Sequence, residues 1–199
     1  MPRGPLDTLL AVLAAGEEES ISLGRLVEGL GEQAHLLLML LLTLPNAVPG
    51  PPLPGFSAAL GLPVAWLAWQ LARGRRRVHL PAFIARRTLP RARLTSLLER
   101  ARPAVARLER LIRPRAPALI DGVGRPLAAL MCVVLALVMS VPIPLGNLPA
   151  ALPILVLALA LLRGDGVAAL VGHAAGLAAV AWNVSLIGLA VLAGRAIAS

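Results

Sequence analysis

Asn46 and Asn147 occupy closely similar settings. Asn46 lies in Pro45-Asn46-Ala47-Val48-Pro49-Gly50-Pro51-Pro52-Leu53-Pro54-Gly55, and Asn147 in Pro142-Ile143-Pro144-Leu145-Gly146-Asn147-Leu148-Pro149. Neither stretch reads as helical, because proline lacks the amide hydrogen and these dipeptides mark turns. A helix leaving such a tip presents unpaired N–H groups, and two such ends without nearby acids suit a phosphate or carboxylate. Asn46 and Asn147 are therefore candidate substrate-binding residues, against the competing reading of each asparagine as a turn former or helix cap. Arg73 and Arg163 close apolar runs, where a cation complements a helix C-terminus and can snorkel to an interface. Gln70, one turn inside Arg73, is costly in hydrocarbon unless it faces protein or water. Asp165, in Arg163-Gly164-Asp165-Gly166, can pair with Arg163, relay protons or cap the next helix, capping being the leading reading. These four residues join the candidate set.

Other chemistry finds no footing. His35, His79 and His173 are scattered, with no cysteine or carboxylate at metal-ligand spacing. Ser57, Ser140 and Ser185 have no histidine and acid at recognisable spacing. The single cysteine, Cys132, sits in an apolar run and reads as a packing residue. The expectation is a protein that is not an enzyme and that uses neither metal nor cofactor.

The elements that carry these residues are membrane-like in composition. The 199 residues are 58% hydrophobic and 15% charged, with a mean hydropathy of +0.81 and a formal net charge of +9. Soluble domains average roughly 25% charged residues. All 19 basic residues are arginine, and 14 of them fall between Arg73 and Arg115, where Glu99 and Glu109 are the only acids. Nucleic-acid binding is disfavoured, because such surfaces interleave aromatics with their basic groups and only Phe83 is aromatic here. The positive-inside rule fits better: this is the cytoplasmic connector between two membrane-inserted halves. Within it Leu94, Leu97, Leu98, Ala101, Val105, Leu108 and Ile112 recur at helical spacing, with an interruption expected at Pro103. The expected helix lies in the headgroup region, its leucines in the acyl boundary and Arg93, Arg100, Arg107 and Arg110 toward anionic headgroups of membrane lipids. A face packed on the rest of the protein is the alternative. The chain start lacks the basic region and cleavage site of a signal peptide, so the whole chain is expected to be retained.

Most apolar runs are shorter than the roughly 20 residues of a straight span. They come in pairs: Leu36–Leu44 with Phe56–Ala72, and Leu127–Val141 with Ala150–Leu162. If each pair enters and leaves from the basic side, its tip lies inside the membrane, where irregular backbone survives only against protein or a wet cavity; an ordinary extracytoplasmic loop is the alternative. The segment Val167–Ala198 is long enough to cross and return, with Trp182-Asn183 in its middle expected as a turn or as an interface marker. At one offset, Leu62-Pro63, Leu67-Ala68, Leu71 and Arg73-Gly74 match Leu152-Pro153, Leu157-Ala158, Leu161 and Arg163-Gly164. Such repeats occur in secondary transporters, whose interrupted segments surround the binding site. In residues 1–33, Ile21, Leu23, Leu26, Val27 and Leu30 form one side of a helix capped by Ser20 or Ser22, placed at the cytoplasmic surface against the connector's charge.

The segments Leu44-Pro45-Asn46 through Gly61-Leu62-Pro63 to Gln70-Leu71-Ala72-Arg73-Gly74-Arg75-Arg76, Leu80-Pro81, Arg87-Thr88-Leu89-Pro90-Arg91, and Val141 through Pro149 with Arg163-Gly164-Asp165-Gly166 resemble the ExoD family of exopolysaccharide synthesis proteins. The likeness runs from about residue 22 to the C-terminus. It departs in placing Asp165 after Gly164 and in having His79 where an aromatic is expected. It implies a bacterial inner-membrane protein of exopolysaccharide production, with no catalytic residue to carry over but with the motif positions, Gly146 now among them, as candidate substrate-binding residues. The full expectation is an all-α integral membrane protein: an acidic segment 1–33, a hairpin 34–74, a basic interfacial connector 75–126, a second hairpin 127–164 and a C-terminal transmembrane helix pair 165–199. Its expected role is a transporter or flippase-like carrier of an anionic or lipid-linked substrate, or alternatively a non-transporting partner of the polysaccharide synthesis machinery. A homodimer is expected, and no nucleic-acid partner.

Overall fold

The computed structural model describes residues 5–15, 18–47, 56–141 and 147–198. Nine α-helices account for most of them: α1 (Pro5–Ala14), α2 (Leu23–Leu30), α3 (Ala34–Ala47), α4 (Phe56–Ala72), α5 (Ala82–Ala85), α6 (Arg91–Leu111), α7 (Gly124–Ser140), α8 (Asn147–Arg163) and α9 (Gly166–Ala198). Two three-residue strands, β1 (Ser20–Ser22) and β2 (Thr88–Pro90), pair antiparallel with Ile21 opposite Leu89. Periodicity does not anticipate so short a ladder; it ties the N-terminal segment to the connector.

The apolar helices form the bundle. α3 is buried along almost its whole length, and it packs on α4 and α8, while α7 packs on α4, α8 and α9. Each helix of one hairpin thus lies against the opposite-numbered helix of the other, α3 on α8 and α4 on α7. Leu37, Leu40, Leu44, Leu135, Met139, Ile154 and Leu157 fill the interior. The outside of α4, α7 and α9 is also apolar: Leu62, Trp66, Leu127, Leu130, Val134, Leu170, Val171 and Leu177 are all exposed. Among the described residues two helical stretches are long and apolar enough to cross a membrane, Leu23–Ala47 and Gly166–Leu189, and α4, α7 and α8 are shorter apolar helices.

A layer of α1, α2, α5, α6 and the strands covers one end. Ser22 caps α2, its Oγ accepting the Arg25 N–H at 3.3 Å, which selects the second of the two caps expected from sequence. Asp7 of α1 pairs with Arg102 of α6 at 3.2 Å, so an acid of the first segment does meet the connector's charge.

Four expectations are corrected. The C-terminal helix pair is one continuous helix, α9; Asn183 at the expected turn donates from Nδ2 to the Ala179 carbonyl at 2.9 Å, one turn back in the same helix. Without proline or a left-handed glycine between 166 and 198, nothing breaks the ladder. The connector helix α6 runs through Pro103, which is exposed, because Leu94, Leu98, Ala101 and Val105 anchor both sides of it. Those same residues pack on protein, with α1 and α3 as neighbours, so they are not in an acyl boundary. The proline and glycine connections are partly helical: Pro45, Asn46 and Ala47 continue α3, and Asn147, Leu148 and Pro149 begin α8. Proline is tolerated in the first turn of a helix, where its missing N–H has no intrahelical partner.

Candidate functional site

The residues sort to the two ends of the bundle. At one end the last turn of α3, the first turns of α4 and α8 and the last turn of α7 converge. Ser57 Oγ donates to Asn46 Oδ1 at 3.0 Å and accepts from Asn147 Nδ2 at 2.6 Å. This chain of two hydrogen bonds joins the first hairpin to the second. It leaves Asn46 Nδ2 and Asn147 Oδ1 buried and without partners among the described residues. Ser140, at the end of α7, turns its hydroxyl back onto the Ala136 carbonyl at 2.8 Å. Gly61, one turn beyond Ser57 on α4, packs directly on that hydroxyl and carbonyl. Gly146 lies outside the described residues.

The electrostatics differ from the expected pair of positive helix ends. α4 and α8 do bring their N-termini here, but α3 and α7 bring their C-termini. Opposed dipole ends at such short range largely cancel, so recognition at this end falls to the side chains.

Arg73, Arg163, Gln70 and Asp165 lie at the other end, about 24 Å away along 17-residue helices. The two turns there have matching geometry. Gly74 and Gly164 both adopt left-handed φ, 70° and 71°. Arg75 N donates to the Gln70 carbonyl at 3.1 Å, and Asp165 N to the Ala160 carbonyl at 2.9 Å, the six-residue closing bond of a Schellman turn in each case.

Each of these four side chains is engaged locally. Gln70 accepts from His79 N at 2.7 Å and donates to His79 O at 3.1 Å, which satisfies a buried amide by folding the Arg75–Arg77 loop back onto α4. Replacing it with Leu leaves the His79 N–H unpaired and the His79 carbonyl with only the longer bond from Trp66 Nε1 at 3.5 Å, an expected loss of about 2 kcal/mol. The check is trypsin: cleavage within Arg75–Arg77 accelerates in Gln70→Leu before global unfolding sets in.

Arg73 lies over the Trp69 ring at 5.8 Å. Arg163 pairs with Glu109 of α6 at 3.3 Å. Desolvation pushes the Glu109 carboxyl upward, the Arg163 charge opposes that, and Asp7 adds to it. Asp165 is fully buried and caps α9, its Oδ1 accepting from Val167 N and Ala168 N, both at 3.1 Å. Its Oδ2 accepts from Arg113 N at 2.8 Å and from Arg115 Nη2 at 3.5 Å. Burial works to raise its pKa, yet the N–H donors of Ala168 and Arg113, the Arg115 charge and the Val167 N–H hold it below the ordinary value. Arg93, Arg100, Arg107 and Arg110 are exposed along α6.

Ser57 was missed as a member of the cluster. The offset that places Pro63 on Pro153 also places Ser57 on Asn147, so the repeat already pairs the two residues that bond directly.

Comparison with known proteins agrees with the motifs. The family described as "Exopolysaccharide synthesis, ExoD" matches residues 6–185. The chain is 31% identical to "Protein ExoD" of Rhizobium meliloti over 164 residues, 80% of this chain and 68% of the relative. It is 28% identical over 165 residues to an uncharacterized protein of Synechocystis sp., covering 82% and 71% of the two chains. No solved structure matches. With its two separated proline and glycine motifs and a family match along most of its length, the chain belongs to the ExoD family of exopolysaccharide synthesis proteins.

Proposed function

We propose that this protein is a multi-pass protein of the bacterial inner membrane, and that it acts as a non-catalytic, flippase-like carrier for an anionic or lipid-linked intermediate of exopolysaccharide assembly. The observation that carries the reading is the Asn46–Ser57–Asn147 cluster: a polar link between two hairpins, enclosed by otherwise apolar helices. Polar groups at such a place are expensive and mark substrate paths in membrane proteins. The crosswise packing of α3 on α8 and α4 on α7, with the matched glycine turns, supports reading the hairpins as repeats.

The length of α9 supports re-entrant tips. Gly172 packs on Leu157 and Gly176 on Met131, so α9 runs antiparallel to α8 and reaches the level of Asn147 near Trp182. Burial against the bundle ends at Asn183, and Val184, Ile187, Leu189 and Leu192 beyond it are exposed. A further 22 Å or so of helix therefore extends past the level of the Asn46–Ser57–Asn147 cluster. With the Asp165 end at one face of a hydrocarbon core of roughly 30 Å, the Asn46–Ser57–Asn147 cluster, about 24 Å away, lies inside the core, and roughly the first turn of that apolar extension stays in hydrocarbon with it. The exposed arginines of α6 and the loops then face the cytoplasmic leaflet and gather anionic headgroups, with Arg73 and Arg163 at the same end, while buried Gln70 and Asp165 hold the turns there closed.

Reconstitution in liposomes tests the role. Flux of a polyprenyl phosphate bearing one hexose should fall at least tenfold in Asn46→Ala plus Asn147→Ala, with the protein still folded. Equal flux, or none by the wild type, overturns it. A non-transporting organiser of a synthase instead predicts harmless tip substitutions and loss of function from changes along the arginine face of α6.

A further inference from the structure

The tip cluster has a hydrogen-bond polarity that does not depend on how either amide is oriented. Ser57 has a single hydroxyl proton, so between two amides it donates to one and accepts from the other. In the arrangement observed, Asn46 offers its oxygen and Asn147 its nitrogen, which leaves one amide NH2 and one amide oxygen, both buried, without a partner among the described residues. Rotating both amides reverses the chain and exchanges the two ends, but one free donor and one free acceptor remain. Among the described residues no ionisable side chain belongs to the cluster, and the helix dipoles around it are opposed.

From this polarity we infer that the tip cluster is a binding site for a pair of adjacent hydroxyl groups, as on a sugar ring, and not for the phosphate of the substrate. The inference rests on the carrier reading above and names which part of the lipid-linked substrate the tips hold. A fully ionised phosphate can accept from the free NH2 but offers nothing to the free oxygen, which it repels. A vicinal diol satisfies both: one hydroxyl accepts from the amide nitrogen and its neighbour donates to the amide oxygen. A sugar hydroxyl can also take over the place of Ser57, because it too donates once and accepts once, so the link between the hairpins can be exchanged for ligand without leaving an amide unpaired. The phosphate is left to the arginines at the cytoplasmic end.

Native mass spectrometry of the full chain in detergent supplies the test, with two probes: a polyprenyl phosphate, and the same lipid bearing one hexose on its phosphate. The glycosylated probe should bind at least fivefold more tightly, and Asn46→Leu plus Asn147→Leu should remove that preference while leaving the affinity for the bare phosphate within twofold. Asn46→Gln, which keeps both amide functions, controls for misfolding and should retain part of the preference. Equal binding of the two probes, or tighter binding of the bare phosphate that is lost in the double variant, overturns the hydroxyl assignment while sparing the carrier. Binding of neither probe overturns both.

Discussion

Asp165→Ala is expected to lower stability by about 3 kcal/mol, seen as an early thermal transition in detergent. The carboxylate serves three backbone N–H groups from two separate segments, Val167 and Ala168 at the start of α9 and Arg113 after α6. Removing an N-cap costs about 1 kcal/mol, and each buried N–H left unpaired adds roughly 1–3 kcal/mol before water relieves it. The contribution of half-exposed Arg115 is small by comparison, since solvent screens it. Asp165→Asn separates charge from shape: one amide oxygen still caps α9, but an NH2 now meets the Arg113 N–H, and about half of the loss should remain. The pH dependence has a definite sign. A carboxyl whose folded pKa is depressed contributes stability that is present above its unfolded pKa, near 4, and lost as pH falls through the folded value. Wild type should therefore lose stability below about pH 4, and Asp165→Asn should lack that component of the loss. An Asp165→Ala variant that melts with wild type would show that the cap does not hold α6, α8 and α9 together.

That junction was partly legible in the sequence. Arg163-Gly164-Asp165-Gly166 reads as a helix stop followed by a cap, and the glycine does take left-handed φ while the aspartate caps. Local backbone chemistry of this kind depends on a few neighbours and survives in a linear reading. Long-range partners do not: nothing in the spacing says that the second Asp165 oxygen is taken by Arg113, or that Gln70 is closed off by His79. The leucine face of α6 was visible as a periodicity, but periodicity shows that a face needs cover and not whether lipid or α1 provides it. The turn expected at Trp182-Asn183 failed because it came from length alone, with no proline or left-handed glycine behind it. The asparagine pair was found from two equivalent settings, yet Ser57, which makes them one site, was hidden among serines judged only for catalysis.

Gly61→Val should cost more than any substitution at the tips, with an expected loss of at least 3 kcal/mol and failure to assemble the two hairpins. A Cβ at position 61 meets the Ser140 hydroxyl and lies 2.8 Å from the Ala136 carbonyl oxygen. The hydroxyl can rotate away, but the carbonyl belongs to the α7 backbone, already holds the Ser140 hydroxyl at 2.8 Å, and cannot move without displacing the helix. Overpacking a close contact typically costs 1–3 kcal/mol, and two γ-methyls at a helix crossing reach the upper end or beyond. Pairing with Ser140→Ala distinguishes steric from polar causes. If the hydroxyl is the obstacle, Gly61→Ala in the Ser140→Ala background recovers most of its stability; if the carbonyl is, recovery stays small. The second outcome is expected, because only the backbone contact is unyielding. Separation of α4 from α7 would also move Ser57 relative to Asn147, so Gly61→Ala should weaken flux even where the protein still folds. Wild-type flux in a Gly61→Ala protein of lowered stability would mean that the tip hydrogen bonds do not need the close helix approach, and that the cluster can form on a looser frame.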